Sequence, residues 1–201
     1  MMAKLYFRYS AMNSGKSTAL LQAAYNYEER GMRVLLVKPA IDSKGDDLIV
    51  SRLGTTRKVD VLLAEHDTLT ERLQPLLEAG PVSCILVDEA QFLQPEQVDA
   101  LFWFAVEAKV PVMAYGLRTD FQTKGFPGAT RLLELAHELQ ELKTICRCGK
   151  KAVFNGRQRD GQFIFDGGQV AIDGEEAITY ESLCGSCYQR ERTRNGVPTR
   201  A

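Results

Sequence analysis

Lys4-Leu5-Tyr6-Phe7-Arg8-Tyr9 runs directly into Ser10-Ala11-Met12-Asn13-Ser14-Gly15-Lys16-Ser17, and a helical pattern follows from Thr18 to Arg30. The first six residues are apolar-rich and predict a strand. Strand, glycine-lysine-serine turn and helix, in that order, are the setting in which a phosphate-binding loop forms. Backbone N–H groups of such a loop and of the helix N-terminus hold the β- and γ-phosphates of a nucleotide. Lys16 adds a positive charge there, and the Ser17 hydroxyl can bind Mg²⁺. The full pattern has glycine at its first position, where this chain has Ser10. Taken alone, the Gly15-Lys16-Ser17 triplet also fits a glycine-kinked loop with a solvated lysine.

Outward from that stretch, strand and helix alternate to about residue 135. Val34-Leu35-Leu36-Val37 predicts a second strand, stopped by Pro39. Asp42 to Thr56 is polar and contains glycine, so it reads as a loop. Thr70 to Ala79 predicts a short helix ended by Gly80-Pro81. Cys84-Ile85-Leu86-Val87 is a continuous apolar run, the pattern of a strand buried on both faces. Pro95 to Ala108 predicts a helix, and Val110 to Tyr115 another buried strand closing at Gly116. Such alternation specifies an α/β fold, a P-loop NTPase-like parallel sheet with flanking helices. Ligands of these folds sit at the carboxyl ends of the strands, where the phosphate loop, Asp88 and Arg118 all fall.

Val87-Asp88-Glu89 closes the third buried strand on two acids. Asp88 suits a water on Mg²⁺ or the ion itself. Glu89 faces the reacting centre, where a carboxylate can take a proton from a substrate hydroxyl or orient a water. The tetrad Asp88-Glu89-Ala90-Gln91 is also similar to that of DEAD/DEAH-type helicases. Such an engine needs two sheet domains and an arginine acting across them. A chain of 201 residues is too short for both. A helicase-like ATPase fragment acting on nucleic acid is the alternative.

The whole chain is one ordinary domain with a small appendage, 45% hydrophobic and 25% charged. A formal net charge of −1 argues against a duplex-DNA binder with a broad basic surface, so no nucleic-acid partner is expected. No apolar run is long enough to span a bilayer, and the N-terminus lacks the layout of a signal peptide. No membrane partner is expected, and the expectation is a cytoplasmic protein with reduced thiols. Cys84 sits alone, whereas Cys146-x-Cys148 and Cys184-x-x-Cys187 form two close pairs. Two short-spaced pairs in a reducing compartment point to a structural, tetrahedral Zn²⁺ site, the alternatives being a redox pair or unliganded thiols. Asp160-Gly161, Asp166-Gly167-Gly168 and Asp173-Gly174 are turn signals between short apolar runs. The last part therefore reads as a zinc-held β-ribbon carrying a long loop. The expected organisation is a nucleotide-binding domain over 1–143, a zinc-ribbon domain over 144–193 and a flexible tail over 194–201. The arginines from Arg190 to Arg200 are read as part of a frayed, solvated tail.

Together the motifs resemble the zinc-containing (type II) thymidine kinase family over about Tyr6 to Tyr188. The resemblance rests on the loop Ser10 to Ser17, on Asp88-Glu89-Ala90-Gln91-Phe92, and on Tyr115-Gly116-Leu117-Arg118-Thr119-Asp120-Phe121. Leu142-Lys143-Thr144-Ile145-Cys146 and Tyr180-Glu181-Ser182-Leu183-Cys184 complete it. Ser10 in place of the first glycine is similar to the bacterial branch. The resemblance implies ATP- and Mg²⁺-dependent phosphorylation of thymidine at its 5′-hydroxyl, a nucleoside-salvage step for DNA synthesis. It implies Glu89 as the base that deprotonates that hydroxyl. Ser10, Ala11, Met12, Asn13, Ser14, Gly15, Lys16 and Ser17, with Asp88, Glu89, Ala90 and Gln91, become the ATP and Mg²⁺ set. Cys146, Cys148, Cys184 and Cys187 become the zinc ligands. The segment from about Asp160 to Tyr180 resembles the lasso loop that closes over the nucleoside, whose main chain reads the thymine edge. Met12, Phe92, Leu117, Phe121, Phe126 and Tyr180 match positions that pack the base. A homotetramer is a further family trait.

Overall fold

The computed structural model describes residues 3–40, 47–169 and 178–197 of the chain. Strand β1 (Leu5–Ser10) leads into α1 (Lys16–Glu28) and β2 (Val34–Pro39). A small hairpin, β3 (Leu48–Val50) and β4 (Thr56–Lys58), precedes β5 (Val61–Leu63), α2 (Leu69–Glu78) and β6 (Cys84–Val87). Then come a 3-10 turn (Ala90–Phe92), α3 (Pro95–Val106), β7 (Val112–Leu117), α4 (Pro127–Leu135) and β8 (Glu138–Glu141). The last part holds β9 (Thr144–Ile145), β10 (Lys151–Ala152), β11 (Phe154–Arg159), β12 (Gln162–Ile164), β13 (Ile178–Leu183) and α5 (Gly185–Arg194).

Six strands make one sheet in the order β5-β2-β6-β7-β1-β8, and every pair in it is parallel. Successive residues of a strand face opposite sides, so each central strand feeds two cores. Leu35, Val37, Ile85, Val87, Val112 and Ala114 pack with α2, α3 and α4 on one face. Leu36, Cys84, Leu86 and Tyr115 pack with Leu20, Leu21 and Ala24 of α1 on the other. This double burial explains why the inner strands read as unbroken apolar runs. It also places the carboxyl ends of β1, β6 and β7 side by side: Val87 pairs with Ala114, and Ser10 with Leu117.

The second part is built from two small sheets, β9 with β10 and β12-β11-β13, around its own apolar cluster that includes Cys146, Phe163, Leu183 and Tyr188. It is not all ribbon and tail. The stretch read as a solvated tail from Arg190 belongs in part to helix α5 (Gly185–Arg194), which starts as β13 ends. Cys187, Tyr188 and Glu191 are its buried residues, and Tyr188 stacks on Phe154 at 5.1 Å. Three buried positions among ten give too weak a periodicity to read in an arginine-rich stretch. Residues 198–201 of that tail, and the Asp173-Gly174 turn signal, lie outside the described residues. Between Asp42 and Thr56, where a loop is expected, β3 forms with Ile49 as its one buried residue. Residues 41–46 are not described.

Candidate active site

At the end of β1 the chain turns through two left-handed residues, Asn13 at φ 65° and Gly15 at φ 80°, and enters α1 at Lys16. A side chain at position 15 would be strained at that φ, so glycine is required there. No side chain caps α1, and its first turn carries no acid. Its first N–H groups and its positive dipole end are thus left for an anion. They open onto a cavity of about 210 Å³ lined by Met12 through Thr18, with Glu89 and Leu117. Val50 and Arg52 from the β3–β4 hairpin also line it. Arg52 hydrogen-bonds the Asn13 side-chain carbonyl, which ties hairpin to loop. The sequence pattern did not single out Val50 or Arg52, because the hairpin is far away in sequence. Ser10 does not reach this cavity; its hydroxyl lies 2.5 Å from that of Ser14 and braces the loop from below. Ala11 likewise lies outside the lining, and its carbonyl receives a 3.5 Å contact from Lys16 Nζ.

Lys16 is buried, and burial depresses its pKa while the charges of Glu89 and Asp88 pull it back up. Asp88, only 3% exposed, accepts a 3.1 Å hydrogen bond from the Ser17 hydroxyl. Burial raises the Asp88 carboxyl to about 6, and the neighbouring Glu89 charge adds to the rise. The Glu89 N–H, the Ser17 hydroxyl and Lys16 oppose it. A lysine and a carboxylate with suppressed charge are what a polyphosphate with its cation would restore to full ionisation.

Glu89 is held in an unusual way. Its backbone is left-handed at φ 49°, uncommon for a residue other than glycine. Its carboxylate accepts a 2.5 Å hydrogen bond from Gln91 Nε2, while Gln91 Oε1 accepts one of 2.9 Å from the Leu117 N–H of β7. Gln91 is fully buried, and neither it nor Ala90 lines the phosphate cavity. Gln91 acts instead as a brace between strand β7 and Glu89.

A second cavity, of about 440 Å³, adjoins the first, and Glu89, Met12 and Leu117 line both. All six residues matched to a base-packing role, Met12, Phe92, Leu117, Phe121, Phe126 and Tyr180, lie on its wall. Phe92 and Phe126 meet edge-to-face at 5.3 Å. Lys38, Asp120, Asn155, Gln169 and Ile178 also line it; of these, Lys38 and Asn155 lie outside every motif and loop named from the sequence. The second part of the chain supplies several of these residues and is tied to the phosphate loop. Asn155 of β11 accepts from the Met12 N–H at 2.7 Å and donates to the Thr119 carbonyl at 2.8 Å. The Ser182 hydroxyl donates to the Met12 carbonyl, and Tyr188 donates to the Phe121 carbonyl at 2.5 Å. Buried Arg157 lies 3.8 Å over the Phe121 ring and donates to Tyr180 Oη, Gly168 O and Gln169 O at 2.7–2.9 Å. It therefore holds residues on both sides of 170–177, which lie outside the described residues.

The ligand atoms of Cys146, Cys148, Cys184 and Cys187 all lie within 4.8 Å of one another, and Cys148 Sγ is 3.6 Å from Cys184 Sγ. A tetrahedral ion with Zn–S bonds of about 2.3 Å sets sulfurs roughly 3.8 Å apart. The four thiols therefore fit a metal ion such as zinc and leave no position for a fifth group. Cys84 stands apart in β6, where burial pushes its thiol up to about 12.

An uncapped helix start behind a Gly15-Lys16-Ser17 turn, an acidic strand end and a second cavity joined to the first at one carboxylate are an arrangement that suits a nucleotide-dependent phosphotransferase. The thymidine kinase family model matches residues 3–188. A thymidine kinase of Ruegeria pomeroyi is 52% identical over 194 residues, 96% of each chain. One of Legionella pneumophila is 49% identical over 201 residues, 98% of this chain and 94% of that one. One of Chromobacterium violaceum is 46% identical over 192 residues, 94% of this chain and all of its own. The chain belongs to the thymidine kinase family. Nothing in these matches favours the helicase-like alternative.

Proposed function

We propose that the protein transfers the γ-phosphoryl group of ATP to the 5′-hydroxyl of thymidine, with Glu89 as the base. The observation that carries this reading is that Glu89 lines both cavities at once, held there by Gln91. ATP phosphates sit in the loop from Met12 to Ser17 beside Lys16, and the nucleoside lies among Phe92, Phe121, Phe126 and Tyr180. Glu89 accepts the 5′-hydroxyl proton as that oxygen bonds to the γ-phosphorus, and the bond to the ADP oxygen breaks. Ser17 and Asp88 are the residues that would hold Mg²⁺, which supplies compensation for phosphate charge. Lys16 offsets charge on the transferring group. Walls that close around the nucleoside exclude water and limit ATP hydrolysis.

The four-cysteine cluster holds a structural Zn²⁺ in this reading. Residues 1–143 act as the nucleotide-binding domain, 144–193 as the zinc-ribbon and lasso domain, and 194–201, whose first residue still ends α5, as a tail. By its family likeness the protein works as a homotetramer in the cytoplasm, in nucleoside salvage. The test is phosphoryl transfer from ATP with Mg²⁺ to a panel of nucleosides, beside ATPase measurements with single-stranded DNA. Thymidine-dependent transfer is the expected result. DNA-stimulated hydrolysis without transfer would overturn the reading.

A further inference from the structure

Arg157 sits in the middle of β11, paired with Tyr180 of β13 on one side and Ile164 of β12 on the other. Alternate residues of a strand share a face. Asn155 and Arg157 therefore stand on the side of the second cavity, and Gly156 faces the other way. That other side is tightly seated: a Cβ on Gly156 would lie 2.5 Å from the Phe163 ring and 3.0 Å from Leu183. Close packing there fixes how far Arg157 stands forward.

Arg157 is only 4% exposed and does not itself line the cavity. It touches three residues that do: Phe121, Gln169 and Tyr180. Its guanidinium carbon lies 3.8 Å from the centre of the Phe121 ring. Nε donates to Tyr180 Oη at 2.9 Å, and Nη2 to the Gln169 carbonyl at 2.7 Å. Nη1 donates to the neighbouring Gly168 carbonyl at 2.8 Å. The three wall residues come from separate stretches: the loop after β7, the chain after β12 and strand β13. One guanidinium thus meets three parts of one wall. Only arginine combines a rigid fork of donors with a flat cation that stacks on a ring; the lysine ammonium is a compact point charge on a flexible stem.

We propose that Arg157 is a positioning residue for the nucleoside, setting Phe121, Gln169 and Tyr180 at fixed separations so that binding does not have to order them. The inference rests on the nucleoside-kinase reading above. A wall already in place reduces the entropy lost on binding. Glu89 is held separately by Gln91, and Met12 of the phosphate loop by Asn155 and Ser182. Loss of the Arg157 contacts should therefore weaken nucleoside binding and leave the ATP site as it is.

The test compares wild type, Arg157→Lys, Tyr180→Phe and the double variant, assayed for thymidine at saturating ATP and for ATP at saturating thymidine. Wild-type turnover of thymidine tests the underlying reading by itself, and its absence would sink that reading rather than the role of Arg157. Arg157→Lys is expected to raise the KM for thymidine by about 10–10²-fold. Its kcat should stay within about threefold, and its KM for ATP should not move. Tyr180→Phe removes the oxygen that Nε holds, so it should raise the thymidine KM by a smaller factor. That loss is contained in the loss from R157K, and the double variant should do no worse than R157K alone. An unchanged thymidine KM in R157K, an equal rise in the KM for ATP, or single losses that multiply in the double variant would overturn the proposal. With an R157K protein that does not fold, Tyr180→Phe decides alone: a raised thymidine KM with the ATP value unmoved supports the role, and an unchanged thymidine KM ends it.

Discussion

Glu89 occupies a left-handed backbone position and is pinned by a glutamine two residues on. A non-glycine residue there stores strain of about 1–3 kcal/mol, which the surrounding sheet must hold in place. Glu89→Gln keeps the shape and removes the base. Turnover should fall by about 10²–10⁴ while the Kd for ATP barely changes, because Lys16 and the loop amides remain. A variant retaining most of its turnover would remove Glu89 from the role of base. Asp88 gives a second measurable signature. Its folded pKa, about 6, lies above the ordinary carboxylate value of 3.8, so the folded, nucleotide-free protein holds this proton more tightly than the unfolded chain does. Its contribution to stability is therefore present at low pH and is lost as pH rises from about 4 through about 6. The loss is on the order of 2–3 kcal/mol at one pKa unit per 1.36 kcal/mol. Melting of wild type and Asp88→Asn between pH 4.5 and 7.5, without nucleotide, should show wild type losing ground to the variant as pH rises; parallel curves would contradict it. Lys16, Ser17, Asp88 and Glu89 were legible in the sequence because each is adjacent to an apolar strand or to its own motif. Arg52 was not: its position depends on a hairpin that no spacing records.

At the level of elements, β7 approaches the 3-10 turn closely beside the site. A Cβ on Gly116 would lie 2.7 Å from Gln91 Oε1 and 3.0 Å from the Gln91 backbone nitrogen. Gly116→Ala must displace the brace that holds Glu89, so it should lower kcat and cost about 1–3 kcal/mol of stability. A melting curve and a turnover assay on the same preparation test this; wild-type values in both would show that the contact is soft. The inner strands could be read in advance because burial on both faces writes a solid apolar run. Edge strands β5 and β8 carried less signal. In β8, Glu138-Leu139-Gln140-Glu141 is mostly polar and exposed, and it is a strand only because its backbone pairs with Tyr6 to Tyr9 of β1. Helix α5 was missed for a related reason: its buried Glu191 is stabilised by Arg147 at 2.5 Å and Arg194 at 3.3 Å, a pairing across 44 residues in one case.

Across the whole molecule, the part that holds the four cysteines supplies one wall of the second cavity, the one proposed for the nucleoside, through Asn155, Ile178 and Tyr180. Metal binding and ordering of that part should be one event. Cys184→Ser removes one thiolate from the cluster, so thymidine binding should collapse, while the phosphate loop on the parallel sheet keeps most of its affinity for ATP with Mg²⁺. Elemental analysis and calorimetry with each ligand separate the two effects. Protein lacking stoichiometric zinc, or a Cys184→Ser variant that binds thymidine normally, would refute the structural-metal assignment.

Met12 stands where these parts join, its N–H and its carbonyl both bound by residues of β11 and β13. Through these two bonds, ordering of β11 and β13 bears directly on the backbone of the loop. On the proposed function, a nucleoside that orders β11 and β13 would also remove freedom from the loop at Met12, so ATP would then meet a loop with less entropy left to lose. Reciprocity is compulsory: whatever factor ATP adds to the affinity for nucleoside, nucleoside adds to the affinity for ATP. Titrating each ligand with and without a non-hydrolysable partner should return one shared factor greater than unity, and Asn155→Ala should pull that factor toward one from both directions at once.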